Sequence, residues 1–378
     1  MPDVLMVGDT IRSPELRHEV PIGIGDPFVY AEKGDKRFVM VNQLEASRVA
    51  EVGDYEIVGP VELGQDDLIA QGLPLEQIAL ELALRACQRF GISKAVVPRA
   101  FPLGYADFLR DHGIELTPDR AFFGARRRSK NEAEIAGIRR AQMAAEGGMA
   151  AARELLGRAA PNGGGVELDG EPLTCERVKL AIAEAFVVSG CAYDEFIVAH
   201  GAQGATGHDT GSGQIQADEP VVIDLWPRDP ESGCFADMTR TFVVGTPTDE
   251  VREWQKLCLE ALQRAVEHTR PGVAGVDLFR ETCELFQEHG YPTPLTKTPG
   301  TVLDHGFFHG LGHGVGLDVH EEPHLGLTGT AELVPGDVIT VEPGLYRPGY
   351  GGCRLEDLLL VTDDGAENLT DFPYDLAP

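Results

Sequence analysis

Several carboxylates sit where a chain ordinarily avoids them. Asp224 follows Val221, Val222 and Ile223, Glu342 follows Val338, Ile339, Thr340 and Val341, and Glu356 lies just before Leu358, Leu359, Leu360 and Val361. An acid within an apolar strand is costly unless a cation or a proton neutralises it. Taken singly, each could be a structural acid paired with Arg240 or Arg354. Taken together with Asp237, they would repel one another strongly unless they were protonated, paired with Arg or holding cations. Five of the 11 histidines fall in one stretch, at His305, His309, His313, His320 and His324, and Gly310, Gly312, Gly314 and Gly316 interrupt it. Those glycines suit tight turns and close backbone approach better than a helix. No Glu follows the first His, so the stretch is not a zinc-protease helix. One histidine with four acids is an oxygen-rich ligand set, suited to Mn2+, Co2+, Fe2+ or Zn2+ in pairs. Two such ions sharing carboxylates can hold a bridging hydroxide and clamp a substrate carbonyl.

Two matching segments must position these side chains. Residues 219–224 and 337–342 each read as an apolar strand ending in a carboxylate, followed by a turn with Gly or Pro. The returning strands begin Cys234-Phe235-Ala236-Asp237 and Cys353-Arg354-Leu355-Glu356, and the hairpin separations are 13 and 14 residues. Helices are expected near 130–157, 174–189, 249–269 and 276–289. Residues 130–245 and 250–365 therefore read as two copies of an α-α-β-β unit, and packing them about a pseudo-dyad would bring four carboxylates together. Ser129 and Glu132 suggest a capping box that opens the first long helix, and residues 159–170 read as a loop. Upstream, a strand at 37–41, a helix at 74–90 closed by Gly91, a strand at 95–98 and a helix at 105–112 closed by Gly113 suggest a smaller α/β domain. Arg126, Arg127 and Arg128 fall at the boundary and read as a solvated linker that pairs with nearby carboxylates.

Composition narrows the function classes. The 378 residues carry 61 Asp plus Glu against 32 Lys plus Arg, a formal charge of −29. Such a surface repels phosphate backbones, so no nucleic acid and no membrane is expected as a partner. No apolar run approaches the ~20 residues needed to span a bilayer, and the start at Met1-Pro2-Asp3 lacks a basic, apolar leader. The seven cysteines form no C-x-x-C pair, which argues against a disulfide framework and fits a reducing cytoplasm.

The order Asp224, Asp237, His313, Glu342, Glu356 resembles the dinuclear-metal signature of the pita-bread (creatinase/aminopeptidase) metallopeptidases, the group of methionine aminopeptidase, prolidase and aminopeptidase P. The words around these residues are similar too: Asp237-Met238-Thr239-Arg240-Thr241, the glycine-rich run from His309 to Gly316, Val319-His320-Glu321-Glu322-Pro323, Val341-Glu342-Pro343-Gly344-Leu345-Tyr346 and Arg354-Leu355-Glu356-Asp357. The extra N-terminal domain and the Val319–Pro323 word resemble prolidase and aminopeptidase P most. The resemblance implies an α+β fold, with a creatinase-like α/β domain over 1–125 and a pita-bread catalytic domain over 130–378. It implies two divalent metal ions, Mn2+ first and Co2+, Zn2+ or Fe2+ as alternatives. Asp224 would chelate one ion, Asp237 and Glu356 would bridge both, and His313 and Glu342 would complete the other. His309 and His320 would contact substrate and stabilise the tetrahedral intermediate, His208 would be a further pocket histidine, Glu342 a proton shuttle and Arg354 a neighbour of the metals. The implied reaction is hydrolysis of the bond preceding proline in short peptides by a metal-bridging hydroxide, in a homodimer.

One departure from the family pattern stands out. Thirteen residues separate Asp224 from Asp237 where eleven are common, and Trp226-Pro227-Arg228 replaces a small residue after the first ligand. The insertion is either a longer turn or a change to the pocket by Trp226 and Arg228. The second possibility keeps open a hydrolase or lyase acting on a small non-peptide substrate with the same centre. A non-enzymatic binding protein on this fold is a further alternative.

Overall fold

The computed structural model describes residues 2–378; Met1, where the leader reading begins, lies outside them. The chain divides into two compact units. One runs up to Arg127 and includes Glu231–Gly233; the other comprises Arg128–Pro230 and Cys234–Pro378.

The first unit is built on strands β1 (Val4–Gly8), β2 (Phe28–Lys33), β3 (Lys36–Met40), β4 (Glu56–Val58), β5 (Lys94–Val97) and β6 (Glu115–Pro118), ordered β4-β3-β2-β1-β5-β6. β1, β2 and β3 pair antiparallel, and the outer pairings are parallel. Side chains alternate across a pleated strand, so Val4 and Met6 enter one apolar cluster while Leu5 and Val7 enter another. The sheet is thus covered on both faces, by helices α1 (Pro14–Glu19), α2 (Gln43–Val52), α3 (Gln65–Ala70), α4 (Leu75–Phe90), α5 (Leu103–Asp111) and α6 (Arg120–Arg128). α4 stops where Gly91 adopts φ 70°, a left-handed position that glycine takes without steric cost.

The second unit begins with α7 (Glu132–Arg158), a small sheet of β7 (Ala160–Asn162), β8 (Gly165–Leu168) and β9 (Glu171–Pro172), and α8 (Cys175–Val188). Strands β10 (Ile197–His200), β11 (Pro220–Leu225) and β12 (Met238–Val243) follow and pair antiparallel in that order. Its second half contains α9 (Asp249–His268) and α10 (Gly275–Glu288), then β13 (Gly312–Gly314), β14 (Glu321–Leu325), β15 (Val338–Val341), β16 (Gly344–Arg347), β17 (Gly351–Arg354), β18 (Asp357–Val361) and β19 (Ala366–Asn368). The larger sheet there is ordered β14-β13-β15-β18-β19, and β16 pairs with β17. Each half lays a helix pair over its own apolar core. Gly148 lets α7 approach α8 closely, since a Cβ there would lie 2.7 Å from the Phe186 ring.

Four sequence expectations are corrected. The cap of α7 is Asn131: its side chain accepts from Glu134 N, and Glu134 Oε2 accepts from Asn131 N, both at 2.9 Å, so the box lies two residues later than Ser129. Residues 159–170 include strands, because Gly163 and Gly164 at φ 62° and 96° form a two-residue turn between β7 and β8. The three arginines do pair with carboxylates, but they stand at the end of α6 rather than in a solvated linker. Arg126 lies 2.8 Å from Glu19 and 2.6 Å from Glu32, Arg127 lies 3.6 Å from Glu15, and Arg128 holds Asp337 through two bonds. In a chain with excess acid, helix arginines are neutralised where they stand. Each copy of the repeat also carries a third strand, β10 in one and β13 in the other, antiparallel to the strand that bears the first acid of each hairpin. Among the described residues no helix is long and apolar enough to cross a membrane.

Candidate metal centre

The acids sit at strand ends that face one another. Asp224 is the penultimate residue of β11, Asp237 precedes β12, Glu342 follows β15 and Glu356 precedes β18. The two hairpins are hydrogen-bonded together at this point: Glu356 N donates to Thr239 O at 3.1 Å, and the Thr239 hydroxyl donates to Glu356 Oε2 at 2.7 Å. Donor atoms of Asp237, His313 and Glu356 lie within 4.8 Å of one another, and all three residues are buried. His313 Nε2 is 3.8 Å from Asp237 Oδ2 and 3.6 Å from Glu342 Oε1. The ladders are not equivalent. Val341 pairs with Asp357, which sets Glu342 across from Glu356, whereas Leu225 pairs with Met238, so Trp226 takes the matching place across from Asp237. Asp224 stands two residues back, opposite Thr239 and on the same side of the strand.

Glycines bring His313 into this group. β13 is wedged between β14 and β15: a Cβ on Gly312 would lie 2.1 Å from Thr340 O, and one on Gly314 would lie 2.3 Å from Glu322 O. His313 N donates to the Thr340 hydroxyl at 3.1 Å. Its Nδ1 lies 3.1 Å from Gly314 O. A carbonyl only accepts, so Nδ1 carries the proton and the Nε2 lone pair faces the acids.

Arg354 ties the centre to a second histidine. Its guanidinium pairs with Asp224 Oδ2 and donates to the Tyr346 hydroxyl at 3.1 Å. The Tyr346 hydroxyl lies 3.0 Å from His309 Nε2, and His309 Nδ1 lies 2.7 Å from Gly310 O. By the same reasoning His309 carries its proton on Nδ1 and accepts from Tyr346. Burial, with the Arg354 charge adding to it, pushes His309 down to about 3, so the ring is neutral. Burial and His320 likewise lower His313 to about 3. Of the two arginines that could have neutralised the strand acids, Arg354 takes Asp224, while Arg240 is committed to Asp357 at 2.9 Å.

These residues fit a divalent cation. Burial, followed by Glu356, Asp224 and Glu342, pushes the Asp237 carboxyl well above the usual carboxylate range. Burial, Asp224 and Glu342 do the same to Glu356. Glu342 is pushed up to about 7 by burial, with Arg354 opposing and Asp224 adding. Asp224 Oδ1 is buried with no hydrogen-bond partner. A neutral imidazole lone pair aimed at crowded carboxylates, with an orphaned acid oxygen beside them, is a donor set that lacks only positive charge.

The other histidines lie around this group. His320 is exposed, with its ring 4.2 Å from that of His313. His208 is exposed on the loop before β11 and acts electrostatically on both His309 and His320. His305 is exposed beside Asp304 and stands outside the group. A cavity of about 610 Å3 opens next to His309. Its wall includes Phe279, Val302, Phe308 and Leu327, with Lys297 and His324 as its other basic groups and no Asp or Glu. Trp226 is half-buried and packs against the core cluster that contains Leu225, Met238 and Phe242. The inserted turn is pinned by Asp229, which Arg140 grips at 3.1 and 2.8 Å. Tyr346 and Thr239 lie within the quoted words but were assigned no role from sequence. Their places four residues after Glu342 and two after Asp237 were the available signal.

Known proteins resemble this chain. The Xaa-Pro dipeptidase of Pyrococcus furiosus is 40% identical over 175 residues, 46% of this chain and 46% of the relative. The probable dipeptidase PepE of Mycobacterium tuberculosis is 34% identical over 197 residues, 52% of this chain and 49% of the relative. The chain thus spans about half the length of the curated relatives it matches. Among solved structures, the prolidase from Pyrococcus horikoshii superposes with a TM-score of 0.76 at 25% identity, covering 100% of this chain and 95% of that one. The X-Pro aminopeptidase from Thermotoga maritima superposes with a TM-score of 0.78 at 22% identity, covering 99% and 97%, a likeness of fold. The profile of metallopeptidase family M24 matches residues 136–363, a segment that contains all five candidate ligands, and the chain belongs to that family.

Proposed function

We propose that this protein is a metal-dependent Xaa-Pro peptidase, a prolidase or an aminopeptidase P, that hydrolyses the peptide bond preceding proline in short peptides. The observation that carries the proposal is the convergence of Asp237, His313 and Glu356 on one point, with Glu342 and Asp224 beside them. The likeness to a Xaa-Pro dipeptidase at 40% identity supports the substrate class. Asp224, Asp237, His313, Glu342 and Glu356 would hold two divalent ions, with Mn2+ as the expected metal. Divalent ions bound there acidify water and polarise a carbonyl near neutral pH.

The chain's own groups do the rest. Arg354 neutralises Asp224 and orients the Tyr346 hydroxyl. Tyr346 in turn donates to His309 and fixes its ring beside the cavity. Glu342, whose Oε1 lies 3.6 Å from His313 Nε2 at the edge of the ligand set, would carry the proton to the leaving amine. His320, at the exposed mouth, donates to the oxygen on which negative charge develops, and His208 lines the same approach. The proline ring has no N–H to satisfy, which matches the apolar wall of the cavity beside His309. A homodimer in a reducing cytoplasm, with residues 1–125 as a creatinase-like domain, completes the proposal. The seven buried free thiols are consistent with that compartment.

The deciding experiment strips the protein with chelator, reloads it with Mn2+, and offers Xaa-Pro dipeptides, Xaa-Pro-Yaa tripeptides and proline-free controls, with products read by mass spectrometry. Cleavage of dipeptides alone identifies a prolidase, and release of the first residue from tripeptides an aminopeptidase P. Silence on all peptides from metal-loaded protein refutes the proposal.

A further inference from the structure

A buried charge pair holds the turn that carries His320. Among the described residues His320 makes no hydrogen bond of its own, so its place is set by its backbone. Glu321, the next residue, opens β14 and reaches inward to Lys130 Nζ. Lys130 precedes the N-cap of α7, and the two side chains are 2% and 6% exposed. Gly316 makes room for the pair: a Cβ there would lie 2.5 Å from Glu321 Oε1 and 2.7 Å from Lys130 Cε. The near end of the turn is tied as well, since Gly316 O accepts from Phe235 N at 2.8 Å and Gly316 N donates to Asp318 O at 3.0 Å. A carboxylate this dry does not keep its charge and its place without a cation. Rotating Glu321 toward water would swing the peptide it shares with His320.

We propose that Lys130 is a positioning residue for His320, fixing the imidazole at the mouth of the metal centre through Glu321. The inference rests on the reading of His320 as a substrate-contacting group. Lys130 does not line the cavity beside His309. It acts on the reaction through the direction of one ring, where a displacement of about 1 Å can cost on the order of 100-fold in rate.

The test uses the full-length protein in two arms. In the first, long-range proton–nitrogen spectra of Zn2+-loaded protein follow the histidine rings, with His320 assigned through His320→Ala. Lys130→Met and Glu321→Gln should each move the His320 ring signals while leaving those of His18 and His112 in place. In the second arm, kinetics of Mn2+-loaded protein on a cleaved Xaa-Pro peptide should show kcat down by about 10- to 100-fold. KM and metal per chain should be unchanged, and Lys130→Arg should recover most of the rate. In a His320→Ala background, Lys130→Met should cost nothing further, as coupled residues require. An unmoved His320 signal, or an equal loss with and without His320, overturns the inference. If Lys130→Met does not fold, the isosteric Glu321→Gln carries both arms. If no Xaa-Pro peptide is cleaved, the function proposed above fails, and the spectra still decide whether Lys130 places His320.

Discussion

His313 keeps its proton on Nδ1 because a strand carbonyl takes it, and so its Nε2 lone pair is left for Asp237 and Glu342. The same crowding predicts how single substitutions behave. Asp237→Ala or Glu356→Ala should abolish hydrolysis and lower bound metal with little loss of fold; full activity in either variant would mean that the paired-metal assignment is wrong. Stripped of metal at about pH 8, those variants should melt no lower than the parent, because each removes a buried like charge. His320→Ala should cut kcat by orders of magnitude at unchanged metal content, since His320 lies beside the ligand set and outside it. Loss of metal in that variant would make His320 a ligand. The types and order of these residues were legible in the sequence. The hydrogen bonds from Tyr346 to His309 and from Thr239 to Glu356 were not, because each joins strands from distant parts of the chain.

Strands and their glycines determine whether the ligands meet. Gly312→Ala places a methyl carbon 2.1 Å from Thr340 O. Backbone cannot yield as a flexible side chain can, so the variant should lose about 3 kcal/mol of stability along with its metal, as denaturant titration and metal analysis would show. Elsewhere in the same layer, Asp357 accepts from Arg240, Asn368 and Tyr374 at 2.9, 2.7 and 2.6 Å. Arg240→Ala should cost about 3–5 kcal/mol by leaving that buried acid uncompensated, and a drop under 1 kcal/mol would show that water or a local shift replaces the arginine. Apolar runs beside carboxylates marked β11, β12, β15 and β18 in advance. The bend that splits β17 from β18 was invisible, because Glu356 leaves its own ladder only to bond Thr239 of the other hairpin.

For the molecule as a whole, metal and pH are linked. The Glu342 carboxyl is raised from its ordinary 4.5 to about 7, so the metal-free folded state binds a proton over a range in which the unfolded chain has released it. That contribution is fully present below about pH 4.5 and is lost as pH rises through about 7, a change on the order of 3 kcal/mol. Chelator-stripped protein should therefore melt at falling temperature from about pH 5 to about pH 8. In the metal-loaded protein the cation replaces the proton, and the gap between the two forms should widen with pH. A gap that narrows toward pH 8 would show that the acids are not the metal site. The formal charge of −29 adds a general self-repulsion that salt screens, so the comparison belongs at constant ionic strength.

By itself the sequence determined the candidate ligands and their order, the helix–strand repeat and the family, because each is written in local apolar pattern and in short words of fixed spacing. Tertiary structure decided the rest. It packed Trp226 half-buried against a core cluster, cast the arginines of 126–128 as partners of particular acids, gave Asp224 rather than Asp357 to Arg354, and set Lys130 against Glu321. Charge pairing and side-chain direction depend on which backbone segments come within a few ångströms of each other. In this chain those segments lie one to two hundred residues apart.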